Sequence, residues 1–206
     1  MTDVEILAFG DSVTFGAWDK EGGWIQRLRR FLEEKNSPTS ANFYYPIYNL
    51  GVDGDTTKSL SERFDTETKQ RLAGTELKII IQIGMNDCSL VNNKIRIPIG
   101  IFEENIKRLF LSAKKYTSQI LFVGYNPVDE TKSQPVWWND KLSFKNEHIM
   151  EYEKSLRELC NSEGIQFVEI FDNWIKLDYK KLLDDGIHPN SEGHQKIFEA
   201  IRDFLI

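Results

Sequence analysis

The chain has 206 residues, which suits one domain whose core is large enough to fold without disulfide bonds or a structural metal. Hydrophobic residues make up 40% and charged residues 28%, proportions of a globular protein and not of a disordered one. The formal net charge of -6 argues against nucleic acids and anionic membranes as main partners, because both are bound through basic patches. We therefore predict a single domain over residues 1–206, with no nucleic acid as partner.

The two cysteines and the N-terminal residues indicate in which cellular compartment the protein is expected. Cys88 and Cys160 are far apart and outside any C-x-x-C pattern, which excludes a disulfide scaffold and a thiolate zinc site and fits a reducing compartment. Asp3 and Glu5 stand where a signal peptide needs a basic region. No apolar run approaches the roughly 20 residues that span a bilayer. We expect a soluble, cytoplasmic protein without a membrane span; the oligomeric state is left open.

Apolar runs and helical stripes alternate along the chain. Strands are predicted at residues 6–9, 44–50, 77–83, 120–123 and 166–171. Apolar residues at helical spacing predict helices around residues 24–32, 56–72, 102–113, 149–159 and 197–205, the last including Leu205. Because the strands are nearly all apolar, both of their faces should be covered. The alternation therefore predicts an α/β fold in three layers, α/β/α, around a five-stranded parallel sheet.

Polar residues follow the predicted strands at the edge where open α/β sheets bind their ligands. Ser12 follows the first strand, Gly54 the second and Asn86 the third, while Asp185 and His188 lie in the long segment after the fifth. A further segment, residues 126–141, contains Trp137 and Trp138 and is too long for a simple connection, so we expect it to be functional. The sequence thus predicts that a serine, a histidine and a carboxylate meet at one rim.

Nucleophilic acyl transfer requires this set of residues. A serine hydroxyl becomes a good nucleophile when a base removes its proton, and imidazole titrates near operating pH. A carboxylate on the other ring nitrogen fixes the tautomer and stabilises the imidazolium. Asp185 and His188 are three residues apart and can meet within one turn of chain, while Pro189 disfavours a helical conformation at His188. Ser191 is a candidate N-cap for the last helix.

The oxyanion that forms during acyl transfer needs positioned hydrogen-bond donors. The candidates are the backbone N–H of Ser12, the backbone N–H of Gly54 and the side-chain amide of Asn86. Gly54 permits both an unusual backbone angle and a close approach of the substrate.

These residues resemble the four blocks of the SGNH, or GDSL-type, esterase/lipase superfamily. The blocks occur in the expected order as Gly10-Asp11-Ser12, Gly54 before Asp55-Thr56, Gly84-x-Asn86-Asp87 and Asp185-x-x-His188-Pro189. The resemblance implies a flavodoxin-like SGNH hydrolase fold and no metal or organic cofactor. It also implies a triad of Ser12, Asp185 and His188 and an oxyanion hole of Ser12, Gly54 and Asn86. Val13 departs from the leucine in the motif's name and lies outside the chemistry.

Each motif alone also has a structural explanation, as a turn, a helix cap or a loop. Asp184 is the alternative triad acid, although the three-residue spacing to His188 favours Asp185. His148 and His194 lie in predicted helices and are interpreted as surface or capping residues, and Cys88 as a buried structural cysteine. Trp137 and Trp138 either pack in the ordinary way or line an acyl or sugar pocket. The joint occurrence of the four blocks favours the catalytic interpretation.

Three functional hypotheses follow. The first is a serine esterase that forms an acyl-enzyme on Ser12 and acts on short-chain acyl or acetyl esters, including those of carbohydrates. Lysophospholipids and thioesters are alternative substrates of the same site. The second, nucleotide binding, is disfavoured because residues 10–16 match neither G-x-G-x-x-G nor the P-loop pattern. The third is a non-catalytic ligand-binding module on the hydrolase fold.

Overall fold

A computed structural model describes residues 2–35 and 43–204 of the chain. Its central parallel sheet has five main strands, which are, in spatial order, β3 (Ile47–Gly51), β1 (Thr2–Gly10), β4 (Glu76–Gln82), β7 (Ile120–Val123) and β9 (Gln166–Val168). A sixth strand of two residues, β2 (Phe43–Tyr44), pairs with the start of β1 on the same side as β3. Numbered among themselves, the five main strands run 2-1-3-4-5, which is the flavodoxin-like order. The predicted fold class is confirmed.

Helices cover both faces of the sheet. They are α1 (Ser12–Phe15), α2 (Gly23–Lys35), α3 (Thr57–Lys69), α4 (Ile99–Ala113), α5 (Asn146–Glu163), α6 (Phe171–Ile175) and α7 (Ser191–Arg202), with a 3-10 turn at Tyr179–Leu182. Helices α3, α4 and α5 pack in one core and α2 and α7 in the other, while α6 contributes Phe171 to the first core and Trp174 to the second.

The two cores meet at the sheet because neighbouring strand residues point to opposite faces. In β1, Leu7 and Phe9 belong to the core under α3 to α5, whereas Ile6 and Ala8 belong to the core under α2 and α7. All four side chains are fully buried. A strand buried on both faces reads as a continuous apolar run, which is the pattern the sequence shows.

Two of the predicted strands differ from the observed ones. The strand predicted at residues 44–50 is two pieces, β2 (Phe43–Tyr44) and β3, because Pro46 has no N–H to donate to the ladder. The strand predicted at residues 166–171 ends at Val168, and Phe171 begins helix α6. Leu205 lies outside the described residues.

Short strands form a second, antiparallel sheet that no periodicity in the sequence indicates. Its order is β6–β5–β8, with β5 (Leu90–Val91), β6 (Lys94–Ile95) and β8 (Leu142–Ser143). This sheet ties the end of the 126–141 segment to the loop that follows β4. Among the residues that the structure describes, no helix has the length and apolar character needed to cross a bilayer. The single domain over residues 1–206 remains a prediction.

Candidate active site

Ser12 is held at the carboxyl end of β1 by a tight turn into a one-turn helix. Asp11 caps α1 by accepting a hydrogen bond from the Val13 backbone at 3.0 Å. Gly10 packs so closely that a Cβ there would lie 2.3 Å from the Gln82 carbonyl oxygen. The turn therefore presents Ser12 at the strand end with little freedom to move.

Ser12, His188 and Asp185 form a continuous hydrogen-bonded chain. The Ser12 Oγ lies 2.9 Å from His188 Nε2, and His188 Nδ1 lies 2.7 Å from Asp185 Oδ2. The other carboxylate oxygen of Asp185 accepts the backbone N–H groups of Ile187 at 2.9 Å and His188 at 2.8 Å. Asp185 thus fixes both the backbone and the ring of the histidine. Asp184, the alternative acid, is exposed.

The ionisation of Asp185 suits a partner of the imidazole. Burial alone would raise its pKa, but the hydrogen bond from His188 and the charge of that ring outweigh burial, so the pKa lies below the ordinary aspartate value. The carboxylate is ionised at neutral pH and can stabilise a positive charge on the ring.

The loop that carries His188 is anchored on both sides. The Asn126 amide donates to the Ile187 carbonyl at 2.8 Å, and the Asp129 N–H donates to the Gly186 carbonyl at 2.7 Å. Behind the histidine, Asn190 caps α7 and accepts from Glu192 and Gly193. The predicted cap, Ser191, is instead the first helical residue. Asn190 offers a side-chain oxygen to the first helical N–H groups, so the cap lies one residue before the predicted one.

Ser12, Gly54 and Asn86, the residues of the three predicted oxyanion donors, line one small cavity with a volume of about 130 Å³. In the described part of the chain, neither the Ser12 N–H nor the Gly54 N–H has a hydrogen-bond acceptor. Gly54 has φ +72, and a Cβ there would meet nothing within 4 Å. The left-handed backbone, and not crowding by other atoms of the protein, is therefore what favours glycine at this position.

Asn86 is oriented by two acceptors. Its amide nitrogen donates to the Asp55 carbonyl at 3.0 Å and to Asp11 Oδ2 at 3.3 Å. Burial raises the pKa of Asp11 to about 7, partly offset by its backbone hydrogen bond and by the charge of His188. Asp11 therefore positions Asn86, one of the oxyanion candidates, and immediately precedes Ser12. The sequence analysis did not predict this positioning role, although Asp11 lies within the first block.

Asp87 secures the loop that carries Gly54. Its carboxylate accepts from the Thr57 backbone at 3.0 Å and from the Thr57 hydroxyl. Thr57 begins helix α3, three residues after Gly54. Burial raises the pKa of Asp87 to about 6. Asp87 thus connects the second and third sequence blocks.

A larger cavity of about 460 Å³ opens beside the small one. Trp138 and His188 line both cavities, as does Asp53. Trp137 lines the larger one, so the structure brings the two predicted tryptophans to the rim of the site. Phe15, Ala17 and Trp18 complete the larger cavity. The sequence offered one signal for Phe15, which is that it follows Ser12 by three residues in the same turn.

Other residues singled out in the sequence lie away from this chemistry. His194 is fully buried, so its interpretation as a surface or capping residue is wrong. Burial lowers its pKa to about 4, which keeps the ring neutral at neutral pH. Cys88 is buried, as expected, and burial raises the pKa of its thiol. Within residues 2–35 and 43–204, no group of three or more His, Cys, Asp or Glu side chains could hold a metal ion.

Comparisons with known proteins find esterases and lipases of one family. The family model described as the GDSL-like lipase/acylhydrolase family matches residues 8–196. The GDSL esterase/lipase CPRD49 of Arabidopsis thaliana is 24% identical over 202 residues, which cover 92% of this chain and 73% of the plant protein.

Solved structures share the fold. The lipase/acylhydrolase from Enterococcus faecalis superposes with a TM-score of 0.75 at 20% identity, covering 98% of this chain and 94% of that one. Axe2, an acetylxylan esterase from Geobacillus stearothermophilus, superposes with a TM-score of 0.70 at 17% identity and the same coverage of the two chains.

Proposed function

The chain belongs to the GDSL-like lipase/acylhydrolase family and is a carboxylic ester hydrolase, and from this premise we propose that it cleaves short-chain esters through an acyl-enzyme on Ser12. The observation that carries the proposal is the continuous chain from Ser12 Oγ through His188 to Asp185, with distances of 2.9 and 2.7 Å.

In the acylation step, Ser12 Oγ attacks the ester carbonyl carbon while its proton moves to His188 Nε2. The carbonyl electrons move to the oxygen, which is stabilised by the Ser12 and Gly54 N–H groups and by the Asn86 amide. For this, one Asn86 N–H exchanges its longer hydrogen bond, the 3.3 Å contact with Asp11, for the oxyanion. The intermediate then collapses, the bond to the alcohol oxygen breaks, and His188 gives its proton to that oxygen. The products of this step are the free alcohol and an acyl ester on Ser12.

Deacylation repeats these events with water in place of serine. His188 removes a proton from water as the water oxygen attacks the acyl carbon. Collapse of the second intermediate returns the proton to Ser12 Oγ and releases the carboxylic acid. Asp185 remains ionised throughout and stabilises the imidazolium in both steps.

The size of the small cavity supports a short acyl group. Sites for drug-sized ligands usually have roughly 300–1,000 Å³, whereas this cavity has about 130 Å³. Its apolar wall includes Met85, Leu142, Phe144 and Ile187, which suits the hydrocarbon part of an acetyl or similar group. A small soluble ester or an acetyl group on a carbohydrate is the preferred substrate, and an acetylxylan esterase is among the proteins that share the fold.

The alternatives require different features. A lysophospholipase needs room for a long acyl chain, which the small cavity does not offer. A thioesterase would use the same residues and differ in the leaving group. A non-catalytic module would not need the hydrogen-bonded Ser12, His188 and Asp185.

Both cysteines are unpaired, in keeping with a reducing compartment, and a cytoplasmic location is part of the proposal.

The test compares hydrolysis of p-nitrophenyl acetate, butyrate and octanoate by the wild type, Ser12→Ala and His188→Ala. We expect activity that falls with chain length and is lost in both variants while the fold is kept. A fluorophosphonate probe should label Ser12 in the wild type. Full activity in Ser12→Ala would overturn the mechanism, and absence of both labelling and hydrolysis would favour the binding module.

A further inference from the structure

Four large aromatic side chains stand exposed around the mouth of the site. We name them the aromatic rim: Phe15, Trp18, Trp137 and Trp138, with exposed fractions of 59%, 57%, 72% and 40%. All four line the cavity of about 460 Å³. A cluster of exposed aromatic groups is unfavourable in water and usually marks a binding surface.

The rim is built from two segments that are held in place. Trp18 has φ +65, a left-handed backbone that a bulky residue seldom adopts and that persists only where the surroundings fix it. The next residue, Asp19, supplies this support. Its carboxylate pairs with Arg27 and accepts the Gly23 N–H at 3.0 Å. Arg27 in turn donates to the Ser191 hydroxyl at 2.7 Å, which links the loop to helix α7.

The tryptophans of the 126–141 segment extend the rim to the catalytic histidine. The rings of Trp137 and Trp138 meet edge to face at 5.6 Å, and the Trp138 ring centroid lies 5.9 Å from that of His188. The Val136 N–H donates to the Leu142 carbonyl at 2.9 Å, which closes the turn that carries both tryptophans. The rim is therefore an ordered surface and contacts the catalytic base directly.

The position of the rim determines which part of the substrate it meets. The alcohol oxygen must lie near His188 Nε2 to receive its proton, and the residues of the three proposed oxyanion donors line the small cavity. In the proposed function, the acyl group lies in that small cavity. The alcohol portion extends past His188 and Trp138 into the larger cavity, which both residues line.

The residues that line the larger cavity favour some alcohol portions of the ester substrate over others. It combines flat aromatic faces with one carboxylate, that of Asp53, and it includes no lysine or arginine among its described residues. A sugar ring has apolar C–H faces that stack on aromatic rings and hydroxyl edges that donate to a carboxylate. A phosphate-bearing headgroup would face Asp53 with no cation to pair with it.

From this lining, and on the basis of the proposed function, we propose that the aromatic rim binds the carbohydrate portion of an acetylated sugar and makes the enzyme selective for that alcohol. Trp18 and Trp137 supply stacking faces, and Asp53 accepts hydrogen bonds from sugar hydroxyls. Trp18 and Trp137 meet the alcohol portion and not the scissile bond, so they stabilise the ground state and the transition state alike.

The kinetic test uses two acetyl esters that differ only in their alcohol, a monoacetylated methyl β-xylopyranoside and ethyl acetate. The ratio of kcat/KM for the sugar ester to that for ethyl acetate should fall about three- to tenfold in Trp137→Ala and in Trp18→Gly. Glycine is chosen at position 18 because it tolerates the left-handed backbone. Trp137→Phe, which keeps an aromatic face, should retain most of the ratio.

The matched control is Phe204→Ala, which removes an aromatic residue of similar exposure (45%) that lines a separate cleft with Lys78 and Gln166. It should leave the ratio at the wild-type value. An unchanged ratio in both rim variants would overturn the proposal, whether their activity on the two esters is intact or is reduced equally.

A binding experiment separates the rim from the chemistry. Calorimetric titration of xylotetraose into Ser12→Ala should show binding that weakens when Trp137→Ala is added. If the wild type cleaves no ester but this rim-dependent binding is found, the proposed hydrolysis fails and the carbohydrate site stands. If Ser12→Ala binds lysophosphatidylcholine through the rim and does not bind xylotetraose, the carbohydrate assignment is wrong even where ester hydrolysis is confirmed.

Discussion

The side-chain amide of Asn86 donates a hydrogen bond to Asp11, the residue immediately before Ser12, with the two atoms 3.3 Å apart. The other oxygen of Asp11 caps helix α1 through Val13. One buried carboxyl group therefore sets the position of the proposed nucleophile and the orientation of a proposed oxyanion donor. Displacing this group should disturb both at once.

Replacing Asp11 with Asn tests this coupling. The amide oxygen of the new side chain can still accept from Val13, but its NH2 group then faces the NH2 group of Asn86, and two donors cannot pair. We expect kcat to fall about tenfold with little change in KM, because complete loss of an oxyanion donor usually costs about 100- to 1,000-fold. Steady-state kinetics on p-nitrophenyl acetate would measure this split. A kcat equal to that of the wild type would show that Asp11 does not position Asn86.

Replacing Asp185 with Asn should leave the loop in place and remove most of the activity. The Asn oxygen can accept the Ile187 and His188 N–H groups, so the backbone contacts survive. Its NH2 group would donate to His188 Nδ1, which puts the ring proton on Nε2 and prevents it from accepting the Ser12 proton. We expect kcat to fall by a factor on the order of 1,000 to 10,000. The neighbouring variant Asp184→Asn is the control, since Asp184 is exposed and should keep wild-type kcat. Similar losses in both variants would contradict the assignment.

Replacing Gly54 with Ala separates backbone conformation from the position of its N–H. Gly54 has φ +72 and Gly74 has φ +77, and a Cβ at either residue would meet nothing within 4 Å. Both Ala variants should lose about 1 kcal/mol of unfolding free energy, because an L residue is disfavoured in the left-handed region. Only Gly54→Ala should also lower kcat, since Gly54 lines the small cavity. Urea unfolding and steady-state kinetics would test both statements, and normal kcat in Gly54→Ala would remove its N–H from the proposed oxyanion hole.

Glu153 should make the protein less stable as pH rises. Glu153 lies on α5 and is buried, and its carboxyl group accepts the Tyr125 N–H at 2.6 Å. Burial, with a smaller contribution from Glu169, raises its pKa from 4.5 to about 9, although the hydrogen bond from Tyr125 and the charge of Arg157 oppose the shift. Between these two pH values the unfolded chain has lost the proton and the folded chain keeps it. The unfolded state therefore binds fewer protons, and the free energy of unfolding falls with rising pH, by at most about 1.4 kcal/mol per pH unit.

Replacing Glu153 with Gln removes this dependence, since an amide does not ionise and its oxygen still accepts from Tyr125. The variant should gain stability relative to the wild type from pH 5 to pH 9, as measured by urea unfolding at several pH values. Glu151→Gln, an exposed position on the same helix, is the control and should follow the wild-type profile. Parallel profiles for wild type and Glu153→Gln would show that Glu153 is ionised in the folded protein.

The sequence by itself determined the layers of the fold and the residue types of the site. The apolar run around Ile79 to Ile81 has to be buried on both faces, which requires helices above and below. Parallel strands end at the same edge, so Ser12, Gly54 and Asn86 were expected to be neighbours before any contact was known. Local patterns of this kind depend only on the period of the backbone and are readable from one chain.

Only the tertiary structure decided which groups touch. Ser12 and His188 are 176 residues apart, and the 2.9 Å contact between them depends on how the loop is anchored by Asn126 and Asp129. The aromatic rim joins Trp18 to Trp137 from two segments that share no periodicity, and the antiparallel sheet that ends the second segment was not predicted. Such contacts depend on how residues distant in sequence pack together. The same packing buries His194 and Asp11, and burial raises the pKa of Asp11. A local pattern contains no information on either.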